Sequence, residues 1–172
     1  GKTCMKSYEA VRKCNDNNID NVISYDSGIM EWARTFPRQA ILLGSVLKNA
    51  NRLISNKEFH AHTISPDAFA TRMADLDDIV LDVRDAYQRE GLSVFVGREH
   101  RVLLGEKKRF DSYIKKANKA GKALLIFDAA GKQVRWLHYY LASRGLKKFY
   151  FMEGGIRAYY KEMVLDSLYG SG

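Results

Sequence analysis

Two cysteines, four histidines and a Gly-Lys-Thr triplet are the first residues in this chain to invite a chemical reading. Cys4 and Cys14 lie ten residues apart in a segment of helical pattern, which sets their Cα atoms about 15 Å apart. A disulfide needs less than about 7 Å. Both are read as reduced thiols, a mild argument for a reducing compartment. His60 and His62 can share a strand face, but no third ligand lies near them in sequence, and no metal site is expected. His100 and His138 suggest no partner. Gly1-Lys2-Thr3 lacks the upstream glycine of a phosphate-binding loop, so that signal is discarded. No cofactor is expected.

The elements that must position any site belong to a chain of 172 residues, enough for one domain or one and a fraction. With 46% hydrophobic and 12% aromatic residues it can build a core, and only 2 Pro and 13 Gly exclude a disordered or collagen-like polymer. No run approaches the ~18 apolar residues of a membrane span. The first ten residues lack the apolar core of a secretory signal, and compartment stays open. The net charge of +8 favours anionic ligands or surfaces. Residues 97–122 hold nine Lys/Arg (98, 101, 107, 108, 109, 115, 116, 119, 122) against three acids. They read either as a solvated basic helix or as a face for an acidic protein partner. Sparse aromatics there (Phe110, Tyr113) argue against nucleic acid. Tyr139, Tyr140, Tyr150, Tyr159 and Tyr160 mostly follow core spacing.

The chain also repeats itself. Residues 131–159 and 1–33 both open with Gly-Lys, run through an amphipathic helix and a loop, continue as a strand, and end in a short helix introduced by Gly-Ile. Cys4, Tyr8 and Val11 correspond to Val134, His138 and Leu141, the stripe of a buried helix face. Val22–Tyr25 corresponds to the strand Phe149–Met152, and Gly28-Ile29 to Gly155-Ile156. Upstream of the second copy, His62–Ile64 reads as a short strand, with Ser65-Pro66 as cap and first helical residue. A helix through Phe69 and Met73 follows, then the buried strand Ile79–Arg84 and a short strand near Ser93–Val96. Next come an apolar run at Val102–Leu104, a basic helix near Lys107–Ala120 and the strand Ala123–Phe127. Strands alternating with helices predict an α/β domain around a parallel sheet buried on both faces. Residues 36–61 read as a linker with a helix around Gln39–Ala50.

Two stretches resemble a known family. HTISPDAFATRMADLDDIVLDVRDAY is similar to the opening of a rhodanese-like domain, and ALLIFDAAGKQVRWLHYYLASRGLKKFYFMEGGIRAY to its second half. The specific matches are Asp82-Val83-Arg84 closing a strand, the loop containing Gly131, and Gly154-Gly155 before the last short helix. The resemblance implies an α/β fold with a five-stranded parallel sheet flanked by helices over residues 62–168. Residues 1–35 then form the C-terminal part of a second, incomplete rhodanese-like domain, in a tandem arrangement. On that reading residues 1–35 expose an apolar helix face and a strand edge. These must pack on the complete domain, on a second copy of the chain or on a missing N-terminal segment.

In active members of this family the loop after the fourth strand begins with cysteine. Such a loop curls into a helix N-terminus, where converging N–H groups and the helix dipole stabilise a thiolate or persulfide. Here that position is Asp128, and the loop reads Asp128-Ala129-Ala130-Gly131-Lys132-Gln133. A carboxylate cannot carry a sulfane sulfur, and it is expected to accept the N–H groups of its own loop. No intact catalytic residue is therefore expected. Asp128 reads as a helix-entry cap on an inert loop, or as the remnant of an anion-recognition or regulatory site. A Cys-x5-Arg phosphatase loop is excluded, since Val134 stands where the arginine would be. Gly131 serves backbone geometry. Lys132 and Arg135 either make the loop mouth electropositive or sit on a solvated helix face. Asp82 is expected to bond loop backbone, with Arg84 near the loop.

Three functions stay open: an inactive rhodanese-like domain with a structural, regulatory or binding role; a fragment of an active thiosulfate:acceptor sulfurtransferase whose cysteine precedes this chain; and a partner-binding module using the basic face.

Overall fold

The computed structural model describes residues 6–25, 28–75, 77–89, 93–132 and 134–165. The chain forms two compact units, residues 1–54 and 55–172.

In the first unit, helix α1 (Lys6–Asp16) is followed by an extended stretch, then by α2 (Gly28–Thr35). The expected strand Val22–Tyr25 has the alternation but no ladder partner: Ile23 is 90% exposed, and no neighbouring strand is present to pair with it among the described residues. The expected helix over Gln39–Ala50 is replaced by a hairpin, β1 (Ile41–Leu42) paired antiparallel with β2 (Ser45–Val46). Short 3₁₀ turns flank it at Pro37–Gln39 and Ala50–Arg52. The helix fails at its centre, where Leu43 and Gly44 adopt φ of 52° and 82°, the left-handed pair that a two-residue hairpin turn requires. Asn49 then caps the second turn by accepting the Asn51 N–H (3.1 Å).

The second unit opens with α3 (Asn56–Ala61). Ser55 and Glu58 form a reciprocal capping box at its start. There follow β3 (Thr63–Ile64), α4 (Pro66–Asp75), β4 (Ile79–Asp82), α5 (Ala86–Arg89), β5 (Glu99–Arg101), α6 (Lys107–Ala120), β6 (Leu124–Phe127), α7 (Val134–Ser143), β7 (Phe149–Met152) and α8 (Gly155–Tyr159). A π-helical turn continues α8 over Tyr160–Leu165. The five strands form one parallel sheet in the order β3-β7-β6-β4-β5. The basic helix and the strand Phe149–Met152 fall at the expected residues.

One strand moves. The expected strand near Ser93–Val96 is loop among its described residues, and β5 forms at Glu99–Arg101, in register with Val80–Asp82. Phe95 is buried all the same, because it plugs the aromatic cluster of Phe69 and Phe127 (centroids 5.8 and 5.4 Å) from the loop.

Strand alternation divides the core. Ile79, Leu81, Leu124, Ile126, Phe149 and Phe151 pack under α6 and α7, together with Phe110, Ile114, Leu137 and Leu141. Val80, Leu125, Phe127 and Met152 face the other way and pack under α4 and α8 with Phe69 and Ile156. Parallel strands of this kind end together, so their C-terminal ends form one rim, and Asp82 and Phe127 are neighbours on it.

Candidate functional site

That rim carries Asp128, which is 1% exposed. The chain leaves β6 at Phe127, turns through Asp128–Lys132 and enters α7 at Val134; the expected helix over 131–143 thus begins at Val134. Asp128 Oδ1 accepts the N–H groups of Ala130 (3.1 Å) and Gly131, and Oδ2 accepts that of Lys132 (2.9 Å). The loop therefore does converge its N–H groups on one point. A carboxylate of the same loop receives them. Gln133 lies outside the described residues, as do Cys4 and the Gly1-Lys2-Thr3 triplet.

The other side of the loop is closed by backbone. Asp128 O accepts the Ile156 N–H (2.9 Å) and Ala129 O the Arg157 N–H (3.3 Å), so the first amides of α8 are consumed by the loop. Such close approach needs glycine. At Gly131 (φ +69°) a Cβ would stand 2.9 Å from Gly154 N. At Gly155 (φ +64°) it would stand 2.6 Å from both Asp128 O and Ala130 N. The Gly154-Gly155 pair is legible in sequence, but its role as a clamp on the Asp128 loop is not.

Asp82 and Arg84 sit beside this loop as a buried pair. Asp82 Oδ1 accepts both the backbone N–H (3.0 Å) and Nε (3.0 Å) of Arg84, and Oδ2 accepts Nη2 (2.9 Å). The Arg84 guanidinium lies 5.3 Å from the centroid of the Phe127 ring, one residue before Asp128. Both side chains are at most 1% exposed. A bidentate arginine–carboxylate lock of this kind orients the loop that follows β4.

Lys132 is exposed. Arg135 Nη1 donates to Asn56 Oδ1 (3.0 Å), and its guanidinium lies over Phe59 (5.2 Å). These contacts tie Arg135 to α3, and Asn56 is the partner that sequence spacing could not name.

Beneath Arg135 lies a cluster of imidazole and phenyl rings. His62 stacks on Phe149 (4.1 Å) and donates from Nδ1 to Phe149 O (2.9 Å). His138 meets His62 edge-on (4.7 Å) and packs on Phe149 (5.1 Å), with Nδ1 buried and without a hydrogen-bond partner. Burial first, then the charge of His62, pushes the His138 pKa down to about 4. His60 instead bonds Asn56 O through Nδ1 (2.7 Å), so the two histidines of the 60–62 pair do different work. Among the described residues no three His, Cys, Asp or Glu side chains are grouped to hold a metal ion. No described helix is long and apolar enough to cross a membrane.

No protein-family model matches the chain, and no curated protein matches it. Solved structures do. A protein of unknown function from Rhodopseudomonas palustris, a possible tyrosine phosphatase, aligns with a TM-score of 0.50 at 20% identity, over 61% of this chain and 85% of its own. The As-Sb reductase of Leishmania major aligns with 0.47 at 21% identity, over 61% and 80% of the two chains. A rhodanese-like domain protein from Staphylococcus aureus aligns with 0.44 at 17% identity, over 56% and 89%. Identities this low speak to fold alone. In fold, the second unit of this chain is an α/β domain, a five-stranded parallel sheet flanked by helices, similar to the first of these structures.

Proposed function

We propose that this rhodanese-like domain does not transfer sulfur and serves instead as a structural, regulatory or binding domain. The reaction it would otherwise run is simple. A thiolate attacks the outer sulfur of thiosulfate, the S–S bond breaks, sulfite leaves, and the enzyme holds a persulfide for an acceptor. The carrying observation is the Asp128 carboxylate, which receives three N–H groups of its own loop at the position where that thiolate would sit. It offers no sulfur to attack with, and it places negative charge where an incoming oxyanion would have to bind. Cys4 and Cys14 are the chain's only cysteines, and neither belongs to this loop.

The test has two arms. With thiosulfate and cyanide the chain is expected to form no thiocyanate above blank. Asp128→Cys places a thiol under the same N–H groups, and we expect it to take up one sulfur atom from thiosulfate in intact-mass spectra. Turnover by the unaltered chain would sink the proposal. A variant that folds but gains no sulfur would show that the loop no longer cradles a thiolate. If a longer polypeptide containing this chain turns over while the chain alone does not, a cysteine outside it is the nucleophile.

A further inference from the structure

The sheet end opposite Asp128 carries a second concentration of charge. Asp77-Asp78 precede β4 and Lys122-Ala123 precede β6, about 13 Å from the Asp128 rim for four-residue strands. A cleft of about 340 Å³ opens there, lined by Asp77, Asp78, Arg98, His100, Lys116 and Lys122 among others. Asp78 is buried and fully engaged, accepting from Arg72 Nη2 (2.7 Å) and the Ala123 N–H (2.8 Å). Asp77 is not. Its backbone is left-handed at φ 48°, and its side chain is 70% exposed in a cage of cations. Arg98 Nη2 reaches it at 3.3 Å, Lys122 Nζ is bonded to it, and Lys116 is close enough to help hold its carboxyl below the usual range. Three cations thus surround one solvent-facing carboxylate.

A second cleft, of about 350 Å³, shares Lys122 and adds Lys147 and Lys148, with no acid on its wall. At the nearby C-terminus of α6, Ala117 O accepts the Gly121 and Lys122 N–H groups, Asn118 O also accepts that of Gly121, and Gly121 O accepts Lys148 Nζ (3.2 Å). Lys116 and Lys147 make no ion pair or hydrogen bond among the described residues.

We propose that these two clefts, joined at Lys122, bind the polyphosphate chain of a small molecule. A linear chain of phosphates offers successive charges to the cations of both clefts, Arg98 and Lys116 in one and Lys147 and Lys148 in the other, whereas a single phosphate offers one charge centre. Asp77 acts as the competing internal anion. This site is independent of the Asp128 loop and of any reading of that loop.

The test is an amide-shift NMR titration of the full chain at low salt with tripolyphosphate, orthophosphate and ATP. Tripolyphosphate is expected to shift amides near residues 97–100, 121–122 and 147–148, and to bind roughly tenfold more tightly than orthophosphate. Lys116→Ala and Lys147→Ala, both at exposed positions, should each weaken it roughly fivefold, with unchanged thermal melts. Asp77→Asn should strengthen it by a similar factor, since asparagine tolerates the left-handed backbone. ATP binding as tightly as tripolyphosphate points to a nucleotide source, and weaker ATP binding to free polyphosphate. Shifts scattered over the surface, equal affinity for orthophosphate, or indifference to both lysine variants would overturn the proposal.

Discussion

Asp128 and Gly155 define the site from opposite sides, one by supplying an acceptor and the other by supplying nothing. Asp128 accepts three amides of the loop that leads into α7. Gly155 leaves the space in which the Asp128 carbonyl accepts the Ile156 N–H. Gly155→Ala would force a methyl into backbone atoms at a φ that alanine resists. It is expected to cost about 2–4 kcal/mol, read as a lowered urea midpoint, and to disturb the loop amides by NMR. A variant as stable as the parent would show that α8 and the loop are not clamped together.

Helices α3 and α7 meet β7 through Phe59, His62, His138, Phe149 and Phe151, and this packing carries a pH signature. His138 has a pKa of about 4 in the fold against about 6.5 unfolded, so the native state binds fewer protons across that window. The stability this imidazole contributes is complete above about pH 6.5 and is lost as pH falls towards 4, by up to about 3 kcal/mol. Glu58 favours its protonation, while His62 and Arg135 oppose it. Urea unfolding at pH 7 and pH 4.5 should show the loss, and His138→Phe should reduce it. An unchanged pH dependence in the variant would refute the assignment. The same helices show what the sequence reveals and what it withholds. Strands β4, β6 and β7 are legible because each is an apolar run buried on both faces. β5 is not, because an edge strand pairs on one side only and Glu99-His100-Arg101 carries no apolar pattern. The hairpin at 41–46 hides behind a segment whose composition also suits a helix. At the site, Asp128 and the Asp82/Arg84 pair can be found by position along the chain. The tie from Arg135 to Asn56 spans 79 residues and exists only once the fold brings the helices together.

At the scale of the whole molecule, the two units contrast in how they bury their apolar residues. The second holds two packed layers of core. In the first, Ala33 and Leu47 are the only buried hydrophobic side chains among the described residues, while Ile19, Ile23, Ile29, Ile41 and Val46 are each more than half exposed. Tyr8 and Val11, which match the buried His138 and Leu141 in the repeat, are exposed and half-buried here. Gly28 and Gly155 share a positive φ (73° and 64°) at the start of a short helix. So much uncovered apolar surface favours association. Light scattering after size exclusion is expected to give a mass above that of one chain that rises with concentration, and Ile29→Asp with Ile41→Asp should lower it. A single-chain mass at every concentration would count against this. The carboxylate that fills the β6–α7 loop has a last consequence at this scale. Because the anion is tethered by the chain itself, its effective concentration at those amides is fixed and does not respond to dilution or to dissolved oxyanions. On the proposed reading, dissolved thiosulfate has to displace this tethered competitor, so the loop is expected to contribute little to any dependence of the melting temperature on thiosulfate.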